Sequence, residues 1–273
     1  MNHTKVRAKK ALGQHFLTDQ GIAQRIVEAL RFHDSDQNDI RDRPGGEISM
    51  PVLEVGPGMG VLTQYLLQRE DIDLKLVEID SESVEYLLEH FSGMQGRLLQ
   101  ADFLRLPLEK YFPGQFCIIG NFPYNISSQI FFKILDYRES IPQVVCMIQQ
   151  EVAERIAEKP GSKTYGILSV LLQAWYDIEY LFTVGPGAFA PPPKVQSAVI
   201  RLRRNSRKEL GCDEVLFKTI VKTSFGQRRK TLRNSLRSLV QDPALLANPV
   251  FDLRPERLGV EDFIRLTNSV SSK

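Results

Sequence analysis

Short apolar runs alternate with amphipathic ones along most of the chain. Residues 22–32 (IAQRIVEALRF) repeat apolar side chains at helical spacing, and the polar stretch 34–49 (DSDQNDIRDRPGGEIS) reads as a loop. From there MPVLEVG, DLKLVEID, GRLLQADF, QFCIIGN and PQVVCMIQ read as five short buried strands. The helical patterns GVLTQYLLQRE, SESVEYLLEHF and SSQIFFKILD fall between them. Strands separated by helices of that length predict βαβ crossovers and a parallel sheet covered on both faces. Beyond residue 165 the pattern predicts a helix (GILSVLLQ), a strand (YDIEYLFTV), a proline-rich loop and another strand (SAVIRLR). Residues 214–224, 228–240 and 260–269 have helical periodicity, with Pro243, Pro249 and Pro255 breaking the run. The expected organisation is an α/β domain over 1–205 and a small helical domain over 206–273.

Composition changes this picture little. Of 273 residues, 42% are hydrophobic and 25% charged, which fits a soluble globular chain with a real core. No apolar run approaches the length of a membrane span, and the N-terminal MNHTKVRAKKALGQHFLTD lacks a signal-peptide core, so a cytoplasmic protein is expected. Cys117, Cys146 and Cys212 are odd in number and widely spaced, which predicts free thiols. His3, His15, His33 and His90 do not cluster with them, so no zinc site is expected.

Charge is more informative. The net charge of +2 is uneven: residues 201–273 carry 16 Lys and Arg against 8 Asp and Glu. The first ten residues add Lys5, Arg7, Lys9 and Lys10 with no acid. A solvated face is the plain reading of such runs. Two acid-poor segments flanking an acidic body point instead to a polyanion partner.

Candidate chemistry sits where the strands end. LEVGPGMGVLT (53–63) places Gly56, Gly58 and Gly60 in the turn after the first strand of the sheet, where the backbone can bend sharply and approach a ligand. In VEID (77–80), Glu78 ends the next strand and can accept ribose hydroxyls. Asp102 follows QA at the end of the third and can receive an adenine amino group. Each carboxylate alone could be a helix cap, but three ligand-type groups at consecutive strand ends mark a nucleotide site. This combination is similar to the S-adenosylmethionine (SAM) methyltransferases over roughly residues 50–150, which implies a Rossmann-like class I fold.

The fourth strand runs into GNFPYNIS (120–127). The segment resembles the N/D-P-P-F/Y signature of methyltransferases acting on planar exocyclic amines, adenine N6 above all. Three further segments, KKALGQHFLTD (9–19), FAPPPKVQSAVIRL (189–202) and SFGQRRKTLRNSL (224–236), are similar to segments of the rRNA adenine dimethyltransferases, the KsgA (RsmA) family. Four signatures in order span nearly the whole chain. The resemblance implies SAM as methyl donor and small-subunit rRNA as substrate, within the immature 30S subunit, with a monomeric enzyme. It implies a cofactor site of His15, Leu17, Gly56, Gly58, Glu78, Ile79, Asp102, Phe103 and Asn121. The catalytic group would be Asn121, Phe122, Pro123 and Tyr124, with Phe189 as a second aromatic face for the flipped base. Phe122 stands where the family commonly has Leu, and His15 where Asn is common.

The basic segments then have a task. Arg228, Arg229, Lys230, Arg233 and Arg237 follow helical spacing, with Leu232, Leu236 and Leu239 on another face, which predicts phosphate contacts. Lys5, Arg7, Lys9 and Lys10 would form an RNA-binding arm. Two alternatives remain open at this stage: an erythromycin-resistance type enzyme modifying large-subunit rRNA, and a ribosome-assembly factor that binds RNA without catalysis.

Overall fold

The computed structural model describes residues 6, 8, 9, 12–32 and 49–271. The chain opens with β1 (Phe16–Leu17), α1 (Gln20–Glu28), β2 (Met50–Val55), α2 (Thr63–Leu66), β3 (Ile72–Glu78), α3 (Ser81–His90) and β4 (Leu98–Gln100). It continues through β5 (Cys117–Asn121), α4 (Ser127–Asp136), β6 (Gln143–Gln149), α5 (Gln150–Ala157), α6 (Ile167–Gln173), β7 (Tyr176–Val184), β8 (Phe189–Ala190) and β9 (Ser197–Arg204). The helices α7 (Glu214–Gly226), α8 (Leu232–Ser235) and α9 (Val260–Ser271) follow.

Seven strands form one sheet in the order β4-β3-β2-β5-β6-β9-β7. The five strands from β4 to β6 are parallel, with Val55 opposite Val77 and Glu54 opposite Ile119 in the central pairs. Val52, Leu53 and Val55 on β2 are each at most 4% exposed, as expected of a strand covered on both faces. The sheet is nevertheless mixed, because β9 runs antiparallel to β6. The chain between β7 and β9 contains no α-helix, so the βαβ pattern stops at β6. A small antiparallel pair, β1 with β8, ties the N-terminal segment to the proline-rich loop and lies outside what the pattern predicted.

The chain forms two compact units, Met1–Ala153 with Glu179–Arg204, and Glu154–Ile178 with Asn205–Lys273. The expected cut at 205 is one of the crossing points, but residues 154–178 join the helical unit rather than the α/β one. The cause is aromatic packing. Tyr165 meets Phe225 of α7 edge-on at 6.1 Å between ring centroids, and Phe225 lies 6.0 Å from Phe263 of α9. A linear reading cannot see such a re-entrant segment. The expected helix over 228–240 also shrinks to the single turn of α8. Gly226 closes α7, Thr231 is extended (φ −70°, ψ 159°), and the Leu232 N–H donates to the Leu253 carbonyl.

Candidate active site

The sheet order reverses between β2 and β5, where open α/β sheets bind ligands. A cavity of about 220 Å³ opens there. Its walls are Gly56, Pro57 and Gly58 after β2, Glu78 and Ile79 after β3, residues 101–104 after β4, and residues 121–126 after β5. Residues 12–17 close it from the N-terminal side.

Glu78 is 5% exposed and held by backbone donors. Its Oε2 accepts from Gly58 N–H at 3.1 Å, and Oε1 accepts from the N–H groups of Ile79 and Asp80 at 2.9 Å each. Burial pushes this carboxyl up and the three amides pull it back, with a net upward displacement. The Gly58 contact needs glycine, because its φ is +57° and an added Cβ would stand 2.9 Å from the Phe16 ring. Asp102 borders the cavity and also acts as a cap. Its Oδ1 accepts from Leu104 N–H at 2.9 Å, while Oδ2 lies 3.5 Å from the exposed Arg105 guanidinium. Phe103 is buried beside it, fixed by Lys133, whose Nζ donates to the Phe103 carbonyl at 2.6 Å.

Asn121 ends β5 with its side-chain amide oriented by the N-terminal segment. Nδ2 donates to the His15 carbonyl at 3.0 Å. The opposite orientation would set two carbonyl oxygens against each other, so Oδ1 is the free end. Oδ1 is buried and accepts no hydrogen bond among the described residues. A buried acceptor without a donor is costly unless a ligand provides one. Close approach of β5 to β2 is what places it: a Cβ on Gly120 would fall 2.4 Å from the Val55 carbonyl oxygen.

The rest of the N-F-P-Y segment divides its tasks. The Phe122 ring is fully buried, edge-on to Phe131 at 5.9 Å, so its size is absorbed by the core. Pro123 borders the cavity. Tyr124 bonds through its hydroxyl to Ser197 and stacks on the His15 ring at 5.4 Å and 29°. His15 Nδ1 is 2.9 Å from the Pro191 carbonyl, which makes it the protonated nitrogen.

Two expectations need correcting. Phe189 does not reach the cavity wall. It pairs with Leu17 in the β1–β8 ladder and is 4% exposed inside the hydrophobic core, so its role is packing. Leu17 shares that core yet does border the cavity. Lys9 is not a free RNA contact either. Its Nζ pairs with Asp80 and, at 3.1 Å, with Glu82, which ties the N-terminal segment across the turn after β3. Lys5, Arg7 and Lys10 lie outside the described residues.

In the helical unit the five predicted cations separate. Arg233 is bound to Asp252 at 2.6 Å and to the Leu246 carbonyl, and Arg228 donates to the Ser162 carbonyl at 3.3 Å. Arg229, Lys230 and Arg237 are exposed and make no side-chain contact of this kind among the described residues.

Sequence reasoning missed Glu54. It lines the cavity at 1% exposure, accepts from Thr63 Oγ1 at 2.7 Å through Oε2, and leaves Oε1 buried and unpartnered. Its signal was a lone charge inside an otherwise apolar strand. Gln14 and Asp80, joined at 3.4 Å, were missed as well, since only the fold brings them together.

The residues fit a sulfonium nucleoside. Glu78 and Asp102 present carboxylates at successive strand ends, Ile79 is a 52% exposed apolar side chain between them in sequence, and two buried oxygens await donors. Fold and site together define a SAM-dependent methyltransferase of the class I, Rossmann-like type. The profile of the "Ribosomal RNA adenine dimethylase" family matches residues 5–257, and the chain belongs to that family. Among its relatives, "Ribosomal RNA small subunit methyltransferase A" of Parabacteroides distasonis is 61% identical over 96% of this chain and 93% of its own. The protein of the same name from Cytophaga hutchinsonii is 55% identical over 98% and 99%. Among solved structures, a dimethyladenosine transferase from Plasmodium falciparum shares the fold, with a TM-score of 0.73 at 23% identity over 92% of this chain and 96% of that one. The 23S rRNA methyltransferase ErmE has a TM-score of 0.64 at 26% identity over 94% and 100%.

Proposed function

We propose that this enzyme dimethylates N6 of two adjacent adenosines in the 3′-terminal hairpin of small-subunit rRNA, acting as a cytoplasmic monomer on the immature 30S subunit. The names of its relatives at 55–61% identity support the small subunit over the large one. In support of the location, no described helix is long and apolar enough to cross a membrane, and Cys117, Cys146 and Cys212 are free thiols.

Asn121 Oδ1 carries the reading. The N6 lone pair of adenine is delocalised into the ring and is a poor nucleophile. Asn121 Oδ1 and the Phe122 carbonyl accept hydrogen bonds from the amino group and favour a pyramidal nitrogen with its lone pair free. Pro123 fixes the turn that follows them, and the Tyr124 ring gives the base a stacking face worth roughly 1–3 kcal/mol. When bound, SAM supplies an electrophilic methyl group on a sulfonium. Glu78 holds its ribose, Asp102 receives its adenine amine, and Ile79 and Phe103 flank the ring. Gly56 and Gly58 let the backbone approach, and His15 and Leu17 close the site. Alignment of the two reactants then provides much of the acceleration. Of the five cations expected in the helical unit, Arg229, Lys230 and Arg237 are, among the described residues, those left for phosphates.

Replacing Asn121 by Ala tests this directly. SAM affinity should remain within a few-fold of wild type, while turnover falls by on the order of 10²-fold or more. Equal turnover in the variant would remove Asn121 from the transition state.

A further inference from the structure

Ser197 opens β9 and is fully buried, ahead of the equally buried Ala198, Val199 and Ile200. A hydroxyl in such a place needs a partner, and its partner is the Tyr124 hydroxyl. Strand direction explains how the two meet. β9 runs antiparallel to β6, so its first residue stands opposite Gln149, the last of β6. Ser197 therefore lies on the edge of the sheet where the parallel strands end, and Asn121 ends the neighbouring β5 on that same edge. Looking only at the C-terminal ends of strands passes over such a residue. The Gln150 N–H donates to the Gln196 carbonyl at 3.0 Å and fixes the backbone just before Ser197.

Tyr124 has reason to be held. The outer side-chain torsion of a tyrosine has a broad well, so a ring attached only through its Cβ can tilt. The bond to Ser197 pins the far end of the ring. A second hold comes from His15, which stacks on the ring at 5.4 Å and 29°. His15 Nδ1 in turn donates to the Pro191 carbonyl at 2.9 Å. Residues 191–197 (PPPKVQS) thus reach the ring twice, directly through Ser197 and indirectly through His15.

We infer that Ser197 is a positioning residue for the target base. Its hydroxyl sets the tilt of the Tyr124 ring at which the flipped adenine stacks. Residues 191–197, which have no aromatic side chain, act on the base through Tyr124. This rests on Tyr124 being the stacking face proposed above.

Steady-state methyl transfer to immature 30S particles, with SAM and RNA varied separately, tests the role. Ser197→Ala should lower kcat about tenfold, the size of one lost hydrogen bond, and leave the KM for SAM unchanged. Ser197→Thr keeps the hydroxyl and should stay within about threefold of wild type. Tyr124→Phe keeps the ring, removes the same bond from its other end and should match Ser197→Ala. It also carries the test should Ser197→Ala fail to fold. The double variant should be no slower than either single one, because both remove one interaction. Additive losses, a loss expressed in the KM for SAM, or wild-type turnover in either single variant would overturn the inference. Tyr124→Ala separates this from the stacking assignment. If that variant is slow while Ser197→Ala is not, the inference alone falls; if Tyr124→Ala turns over like wild type, the stacking assignment falls and the inference with it.

Discussion

At the scale of single residues, a buried carboxyl displaced upward makes the empty protein sensitive to pH. The ordinary value of a glutamate is 4.5 and that of Glu54 is about 8 in the folded chain. Between these limits the folded state keeps a proton that the unfolded chain has lost, so stability falls as pH rises through the window. Cofactor-free wild type should therefore lose melting temperature relative to Glu54→Gln between pH 5.5 and 7.5. A gap that stays constant over that range would show that Glu54 is already ionised. Legibility at this scale follows strand position. Glu78, Asp102 and Asn121 stand at the ends of strands with strong local patterns, so their convergence could be deduced from the parallel sheet alone. Glu54, Phe189 and Lys9 could not be read that way. The state of Glu54 depends on what covers it, the burial of Phe189 on a two-residue ladder to Leu17, and the pairing of Lys9 on Asp80, 71 positions away.

Among the elements, those with unbroken periodicity were legible nearly to the residue: α4 occupies Ser127–Asp136 and β7 Tyr176–Val184, as the pattern predicts. The pattern over residues 60–70 predicted a long helix, but the α-helix covers only Thr63–Leu66. The glycine turn before it consumes the first positions, with Gly58 and Gly60 both at positive φ. Over 228–240 apolar spacing again favoured a helix, and tertiary pairing with Leu253 overrode it. The β1–β8 pair gave no local signal, since two-residue strands have no period to detect. That small ladder matters for function, because it runs through the same segment whose His15 carbonyl orients Asn121.

For the whole molecule, the charge asymmetry survives in reduced form. Of the cations expected to meet RNA that lie among the described residues, Lys9, Arg228 and Arg233 are engaged within the protein, and Arg229, Lys230 and Arg237 remain. Replacing those three by Ala should weaken rRNA binding and flatten its dependence of log affinity on log salt by about 2–3, at roughly 0.7–0.9 per phosphate contact. SAM affinity should not change. An unchanged salt slope would place the phosphate contacts elsewhere. Common to all three scales is methylation of adenine N6 in small-subunit rRNA at the cavity beside the strand ends. The most direct test is methyl transfer from SAM to immature 30S particles, 50S particles and free rRNA, followed by nucleoside analysis. N6,N6-dimethyladenosine confined to the 30S sample is the predicted result. Label in 50S particles, or a methylated nucleoside other than adenosine, would contradict it.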